Sequence, residues 1–357
     1  MKVSVQARFL VALCGLVVAA GCGKQAEENR ELAYVAAPQV MLRDRVAAVY
    51  NKVGTAKNGE KLVVLDKQKR FVKVRTERNE EGWVEQRYLA EPQVYAAAQR
   101  LANTNLRAPS QGKATVRHDT NLHVEPGRET DHLYLINEGE KVEVLVRAIA
   151  EKTASRAATK DAAAKNDAGK KDAAKENAAG ATKDPAANIS PPIVEDWRLV
   201  RASEGRVGWV LGRMVDLDAP MEVAQYAEGQ RIIGFFVLNE VEDEGKRVPQ
   251  YLLALSVPKD GLADDFSQIR VFTWNAKRNH YETAYRERNL AGELPIRVGT
   301  EDLGKEGKLP VFVLRVRGDD DKLIERKYKL NGVMVRRVLA PGEEPARARP
   351  AAKRRRR

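Results

Sequence analysis

The sequence predicts an all-β protein built from several small modules, and three observations carry that expectation. Val, Ile, Leu, Tyr and Trp recur in short runs broken by Gly, Asn and Asp, the pattern of many short strands. One ordered set of such runs occurs twice along the chain. Long stripes of helical period are scarce outside one Ala/Lys-rich segment.

Lys2 and Arg8 supply a short positive region ahead of an uncharged run from Phe9 to Ala20. That run is too short to span a bilayer and fits the apolar region of a signal peptide. Val18-Ala19-Ala20-Gly21-Cys22 then resembles a bacterial lipobox, with Ala19 where leucine is usual. The resemblance implies that residues 1–21 are removed and that Cys22 is acylated, anchoring the chain in a lipid bilayer. An ordinary secretory signal cleaved nearby is the other reading, and both export the protein. Gly23 and Lys24 follow the cysteine, with no aspartate beside it, which favours the outer membrane and a periplasm-facing chain.

Of the two cysteines, Cys14 falls in the discarded run and Cys22 in the anchor. The exported chain is therefore expected to lack disulfides and thiolate metal sites, and to depend on its apolar cores. At 357 residues it is long enough for two or three of them.

The repeat is the most informative feature. Gly59-Glu60-Lys61-Leu62-Val63-Val64-Leu65, Phe71-Val72-Lys73-Val74-Arg75 and Gly82-Trp83-Val84 form the first set. Gly139-Glu140-Lys141-Val142-Glu143-Val144-Leu145, Trp197-Arg198-Leu199-Val200-Arg201 and Gly208-Trp209-Val210 form the second. Each block alternates, so each predicts a strand with one buried face. The Gly-Glu-Lys triplets suit a turn before a strand, and Gly82 and Gly208 let the chain turn closely before a tryptophan.

This ordered set resembles the bacterial SH3-like domain family of envelope proteins. The openings are Val40-Met41-Leu42-Arg43 and Leu122-His123-Val124-Glu125-Pro126-Gly127; the endings are Tyr88-Leu89 and Met214-Val215. In the first copy Asp44-Arg45 replaces the usual small or proline-containing turn. The resemblance covers residues 34–92 and 112–217. It implies two SH3-like barrels with Gly59, Phe71, Gly82, Trp83, Gly139, Trp197, Gly208 and Trp209 in their structural core. It also implies modules that bind peptidoglycan or its peptide stems.

Residues 152–187 interrupt the second copy with an Ala/Lys/Asp/Glu-rich stretch. Asp161 and Lys165 have helical spacing, but almost no large apolar residue is present to bury a face. A solvated, partly helical loop is expected, against a spacer that contacts an anionic envelope component. Residues 218–340 contain seven or eight apolar runs, predicting a further β-barrel or β-sandwich. Met221–Tyr226 reads as a short helical turn with Asp218 as its cap and Pro220 near its start. Asn331-Gly332 predicts a hairpin with a primed turn. Residues 341–357 read as a disordered basic tail; Arg347, Arg349, Lys353, Arg354, Arg355, Arg356 and Arg357 fall within a stretch, 347–357, that contains no acid. Part of the net charge of +12 lies in that tail, which suits an anionic envelope surface through screened electrostatics.

Several chemical signatures fail on inspection. Gly299 to Lys305 mimics a phosphate loop, but Glu306 stands where a hydroxyl must meet magnesium. Asp319-Asp320-Asp321 lacks the spaced ligands of a calcium loop and reads as a hairpin turn. His118, His123 and His132 lie near one another in sequence, with His123 and Glu125 expected on one strand face, short of a fixed metal set. No Gly-x-Ser-x-Gly elbow occurs. The expectation is a non-enzymatic envelope-binding or scaffolding protein, with no metal, no cofactor and no nucleic-acid partner. An accessory protein that binds another envelope protein through residues 218–340 and an exported hydrolase are the alternatives.

Overall fold

The computed structural model describes residues 31–152, 192–318 and 320–339. The signal peptide, Cys22, residues 153–187 of the insertion and the basic tail lie outside the described residues. The chain is all-β, with three seven-stranded sheets. It divides into two compact units: one runs to Asn103 and includes Thr120–Val124 and Asp131–Ile136, the other holds the remainder.

The first unit opens with β1 (Leu32–Val35), β2 (Gln39–Arg43), β3 (Lys52–Lys57), β4 (Lys61–Gln68), β5 (Phe71–Arg75), β6 (Glu81–Glu85) and β7 (Leu89–Ala90). They form one antiparallel sheet in the order β3-β2-β6-β5-β4-β1-β7. Strand alternation turns Val40 and Leu42, Val72 and Val74, and Val84 inward, where they pack with Val35, Ala56 and Leu62. Gly59 turns the chain into β4 at φ 78°, a conformation that costs a side chain but not glycine. Gly82 is needed for a different reason: a Cβ there would lie 2.7 Å from the Leu42 Cβ and 3.0 Å from the Arg43 carbonyl oxygen.

A helix that the strand-only reading did not anticipate follows, α1 (Pro92–Thr104). Its proline fits the first helical turn, where an N–H has no partner to lose. Val94, Tyr95 and Ala98 share one face, and Tyr95 stacks on Tyr34 with ring centroids 3.9 Å apart. The stripe is thin and alanine-rich, so the periodicity is weak in the sequence. The same cluster receives Leu133 from the hairpin β9 (Thr120–His123) and β10 (His132–Ile136). Asn58 holds that hairpin by both ends of its amide: Nδ2 donates to the Leu133 carbonyl (2.8 Å) and Oδ1 accepts from the Leu135 N–H (3.1 Å).

In the second unit, β8 (Lys113–Val116), β11 (Lys141–Glu151), β12 (Val194–Arg201), β13 (Val207–Leu211) and β14 (Val215–Leu217) run in the order β13-β12-β11-β8-β14. That order repeats β6-β5-β4-β1-β7. The correspondence extends to single bonds. Gly59 N–H donates to Val35 and Gly139 N–H to Val116, both at 2.8 Å. Gly139 has φ 80°. A register shift falls between Val64 and Asp66 in β4 and between Val144 and Val146 in β11.

The C-terminal sheet is an up-and-down meander of β15 (Arg231–Asp243), β16 (Lys246–Ser256), β17 (Phe266–Asn275), β18 (His280–Asp302), β19 (Lys308–Arg317), β20 (Leu323–Asn331) and β21 (Met334–Val338). The apolar runs at His280–Arg286 and Leu294–Val298 belong to one continuous element, β18, which pairs with β17 as far as Gly292 and with β19 from Gly292 onward, with a register shift between Glu293 and Arg297 in the second pairing. Both faces of β16 are buried: Leu252 and Ala254 join Phe266, Phe312 and Tyr328 on one side, and Tyr251, Leu253 and Leu255 join Phe272 and Tyr281 on the other. The second side is closed by α2 (Met221–Ala224). Asp218 does not cap this helix; Pro220 does. Asp218 instead accepts from Thr115 Oγ1 (2.6 Å) and Lys141 Nζ (2.9 Å). The last hairpin turns on Gly332-Val333, with Gly332 at φ 62°, so Asn331 ends β20 and pairs with Met334.

Candidate functional site

The expected core residues separate by strand phase. Phe71, Gly82, Trp197 and Gly208 are buried, and Gly59 and Gly139 sit at turns. Trp83 and Trp209 are not core residues; both are half-buried. The reason is the two-residue period: Gly82 and Val84 point inward, so the residue between them faces outward. Trp83 is the register partner of Lys73 across β5 and of Arg43 across β2.

That outer face of the first unit is a mixed aromatic and cationic surface. The Arg43 guanidinium lies 4.1 Å from the Tyr50 ring centroid and 5.5 Å from that of Phe71, within reach of the ring quadrupole. Arg43 also approaches Glu85 at 3.5 Å, which aims its fork along the sheet. In the second unit the positions equivalent to Phe71 and Lys73 are Trp197 and Leu199, buried at 3% and 2% exposure, so the same face of β12 is closed.

Both units carry a cleft on matching strands. In the first it is lined by Leu32, Val64, Val72, Arg87 and Leu89, among others. In the second it is lined by Val144, Asp196, Arg198 and Val215 from the β strands and by Arg213 from the turn between β13 and β14, with Arg231 and Asp260 beyond them, and holds about 510 Å³. Register makes the two comparable: Val72 pairs with Val84, and Arg198 pairs with Val210. An apolar lining residue of the first unit is thus replaced by a buried cation in the second.

Around Arg198 lies a charge cluster. Arg147, 3% exposed in its side chain, donates from Nη2 to Asp196 Oδ1 (2.7 Å) and from Nη1 to Asp265 Oδ1 (3.1 Å). Asp196 accepts further from Gly261 N–H (2.9 Å) and Arg231 Nη1 (3.1 Å), and Arg231 also reaches Asp260 (2.8 Å). Burial works to raise the Asp196 carboxyl, but the Arg147 and Gly261 hydrogen bonds and the nearby arginines outweigh it and hold it below its ordinary value. Glu195 is buried in a two-bond pair with Arg128 (2.6 and 2.7 Å), which holds its carboxyl low as well. Arg198 is different: burial lowers it to about 10, and its Nη1 meets no acceptor among the described residues. The sequence signal was present in Glu195-Asp196-Trp197-Arg198, where Arg198 occupies the strand position that is Val72 in the first copy.

The remaining candidates fall out as surface features. His123 faces His132 across the β9–β10 hairpin, with ring centroids 5.3 Å apart. Among the described residues no group of three His, Cys, Asp or Glu side chains is placed to hold a metal ion. The phosphate-loop mimic belongs to β18 and the turn into β19, and Asp320 and Asp321 lie in the β19–β20 turn.

Residues 45–90 match the bacterial SH3 domain family. The match spans β3 to β7, so the first unit carries an SH3 domain. No curated protein matches the chain. Among solved structures, a NlpC/P60 family protein from Bacillus cereus ATCC 10987 is 11% identical, covers 71% of this chain and 93% of its own, and has a TM-score of 0.23. NlpC2 from Trichomonas vaginalis is 9% identical over 73% of this chain and 98% of its own, with a TM-score of 0.16. NlpC1 from the same organism is 8% identical over 71% and 87%, with a TM-score of 0.16. At those values no shared fold or activity follows.

Proposed function

We propose that this chain is an exported, lipid-anchored and non-enzymatic binding protein of the bacterial cell envelope, with peptidoglycan or its peptide stems as ligand. The observation that carries the reading is the open outer face of the SH3 domain, where Trp83, Tyr50 and Arg43 are presented together. Aromatic rings and arginine supply large contact area with fixed geometry, the composition of energetically dominant binding residues. The match over residues 45–90 supports a wall ligand, because SH3-like modules of envelope proteins resemble wall binders.

In this reading residues 112–217 form a second SH3-like module. The repeated strand order and the matched Gly59 and Gly139 turns support it. The acylated Cys22 holds the chain to a bilayer, most naturally the outer membrane, facing the periplasm. Lys353, Arg354, Arg355, Arg356 and Arg357 add a salt-sensitive attraction to anionic envelope polymers.

Sedimentation with purified peptidoglycan tests the proposal. The Cys22→Ser protein should co-sediment with insoluble sacculi, and Trp83→Ala should lose most of that binding while keeping its far-UV spectrum. Equal recovery of both proteins, or none of either, would overturn it.

A further inference from the structure

We propose that the cleft around Arg198 is a binding site for a compact oxyanion, a carboxylate or a phosphate monoester, gripped by Arg198 and Arg213. The proposal stands apart from wall binding by the outer face of the SH3 domain.

Arg117, Arg198, Arg213 and Arg231 line the cleft together with Asp196, Asp216 and Asp260. Arg117 is committed to Asp216 through two hydrogen bonds (2.5 and 2.6 Å). Arg231 is shared between Asp196 and Asp260. Asp196 is itself saturated by Arg147, Gly261 and Arg231. The uncommitted positive charge therefore rests on two guanidiniums. Among the described residues Arg213 pairs with Glu195, at 3.7 Å, and that carboxylate already holds Arg128 in a two-bond pair. Arg198 is 6% exposed, and its Nη1 has no acceptor among the described residues.

A buried guanidinium without an acceptor costs free energy that a structural role does not repay, since the first unit fills the same strand position with Val72. An oxyanion repays it. Guanidinium is planar and presents paired N–H donors that match carboxylate and phosphate oxygens. Burial keeps the charge from being screened, so one well-placed anion gains more here than on the surface. The cleft, at about 510 Å³, is large enough for a small ligand and walled by Val144, Val215, Leu217 and Ile232 on its apolar side.

The test uses the full chain in detergent, titrated calorimetrically at pH 7 and constant ionic strength with sodium phosphate and, separately, sodium acetate. Saturable binding of one of them is expected; the tighter of the two identifies phosphate monoester or carboxylate as the ligand chemistry. Arg198→Val should weaken that binding at least tenfold while its melting temperature without ligand stays at or above the wild-type value. Arg213→Ala, at a side chain 65% exposed, leaves the fold intact and should weaken binding several-fold. Absence of saturable binding by both ions overturns the proposal, as does unchanged affinity in Arg213→Ala or in a folded Arg198→Val protein.

Discussion

Arg198 stands in β12 where Val72 stands in β5. Each is one strand away from the valine of a Gly-Trp-Val sequence, Val210 and Val84, and each lines the cleft of its own unit. One module keeps an apolar core position, and the other spends it on a cation. The neighbouring acids, Asp196 and Glu195, are buried with it and held by Arg147 and Arg128.

The tryptophans of the two repeats should differ in energetic weight. Trp197 is 3% exposed, and truncation to alanine should cost about 3–5 kcal/mol, as for large aromatics in cores. Trp83 is half-buried on the outer face, so Trp83→Ala should cost well under half of that. Urea unfolding of the two variants measures the difference; equal losses would place Trp83 in the core after all.

Asp196 anchors the buried cluster. Asp196→Asn leaves Arg147 and Arg231 facing a neutral group and should destabilise the second unit by about 3–5 kcal/mol. The pH dependence has a definite sign. The folded carboxyl is depressed below its unfolded value, so its contribution is complete above the ordinary carboxylate range, roughly pH 4. It is lost as pH falls from there through the lower folded value. Thermal melts between pH 7 and pH 3 should therefore drop more steeply for the wild type than for Asp196→Asn.

Gln111, fully buried, staples the second unit. Its Oε1 accepts from Ile296 N–H (2.8 Å), and its Nε2 donates to the carbonyls of Pro109 (2.9 Å) and Ile296 (3.3 Å). Its own backbone accepts from Phe235 N–H and donates to Val144. Gln111→Ala leaves the β18 amide unsatisfied and should cost about 1–3 kcal/mol. Hydrogen exchange at Ile296 should accelerate in step; an unchanged Ile296 rate would show that another acceptor takes over.

The long insertion should be dispensable. Glu151 pairs with Val194, and Lys152 N–H donates to the Ile193 carbonyl at 2.7 Å, so the strand ends already meet. Replacing residues 153–192 by a two-residue turn should preserve or slightly raise stability, because closing a long loop costs only slowly growing entropy. Loss of cooperative unfolding in the shortened protein would show that the segment packs on the fold.

Anchoring is tested at Cys22, which lies outside the described residues. Wild-type protein expressed in a bacterial host should incorporate a labelled fatty acid, and Cys22→Ser should not. Unlabelled wild-type protein would remove the lipid anchor from the proposal.

Local pattern alone determined the all-β class, the turns at Gly59 and Gly139, and the repeated strand blocks. Those features follow from two-residue alternation and from glycine's access to positive φ, both of which act within a few residues. Tertiary structure decided the rest. It placed Trp83 outward, because a strand's phase is set by which face finds a core. It made α1 a helix, because Tyr95 and Ala98 meet Tyr34 and Leu133 across the chain. It joined β18 into one element across Pro295: strand pairing with β17 and then β19 holds its two ends, and the side chains of Asp265 and Gln111 take the Leu294 and Ile296 N–H groups between them. It also buried Arg198: charge in a strand sequence reads as a wet face until a second layer covers it, and only the packing of β12 revealed that its residues from Glu195 to Val200 are all buried.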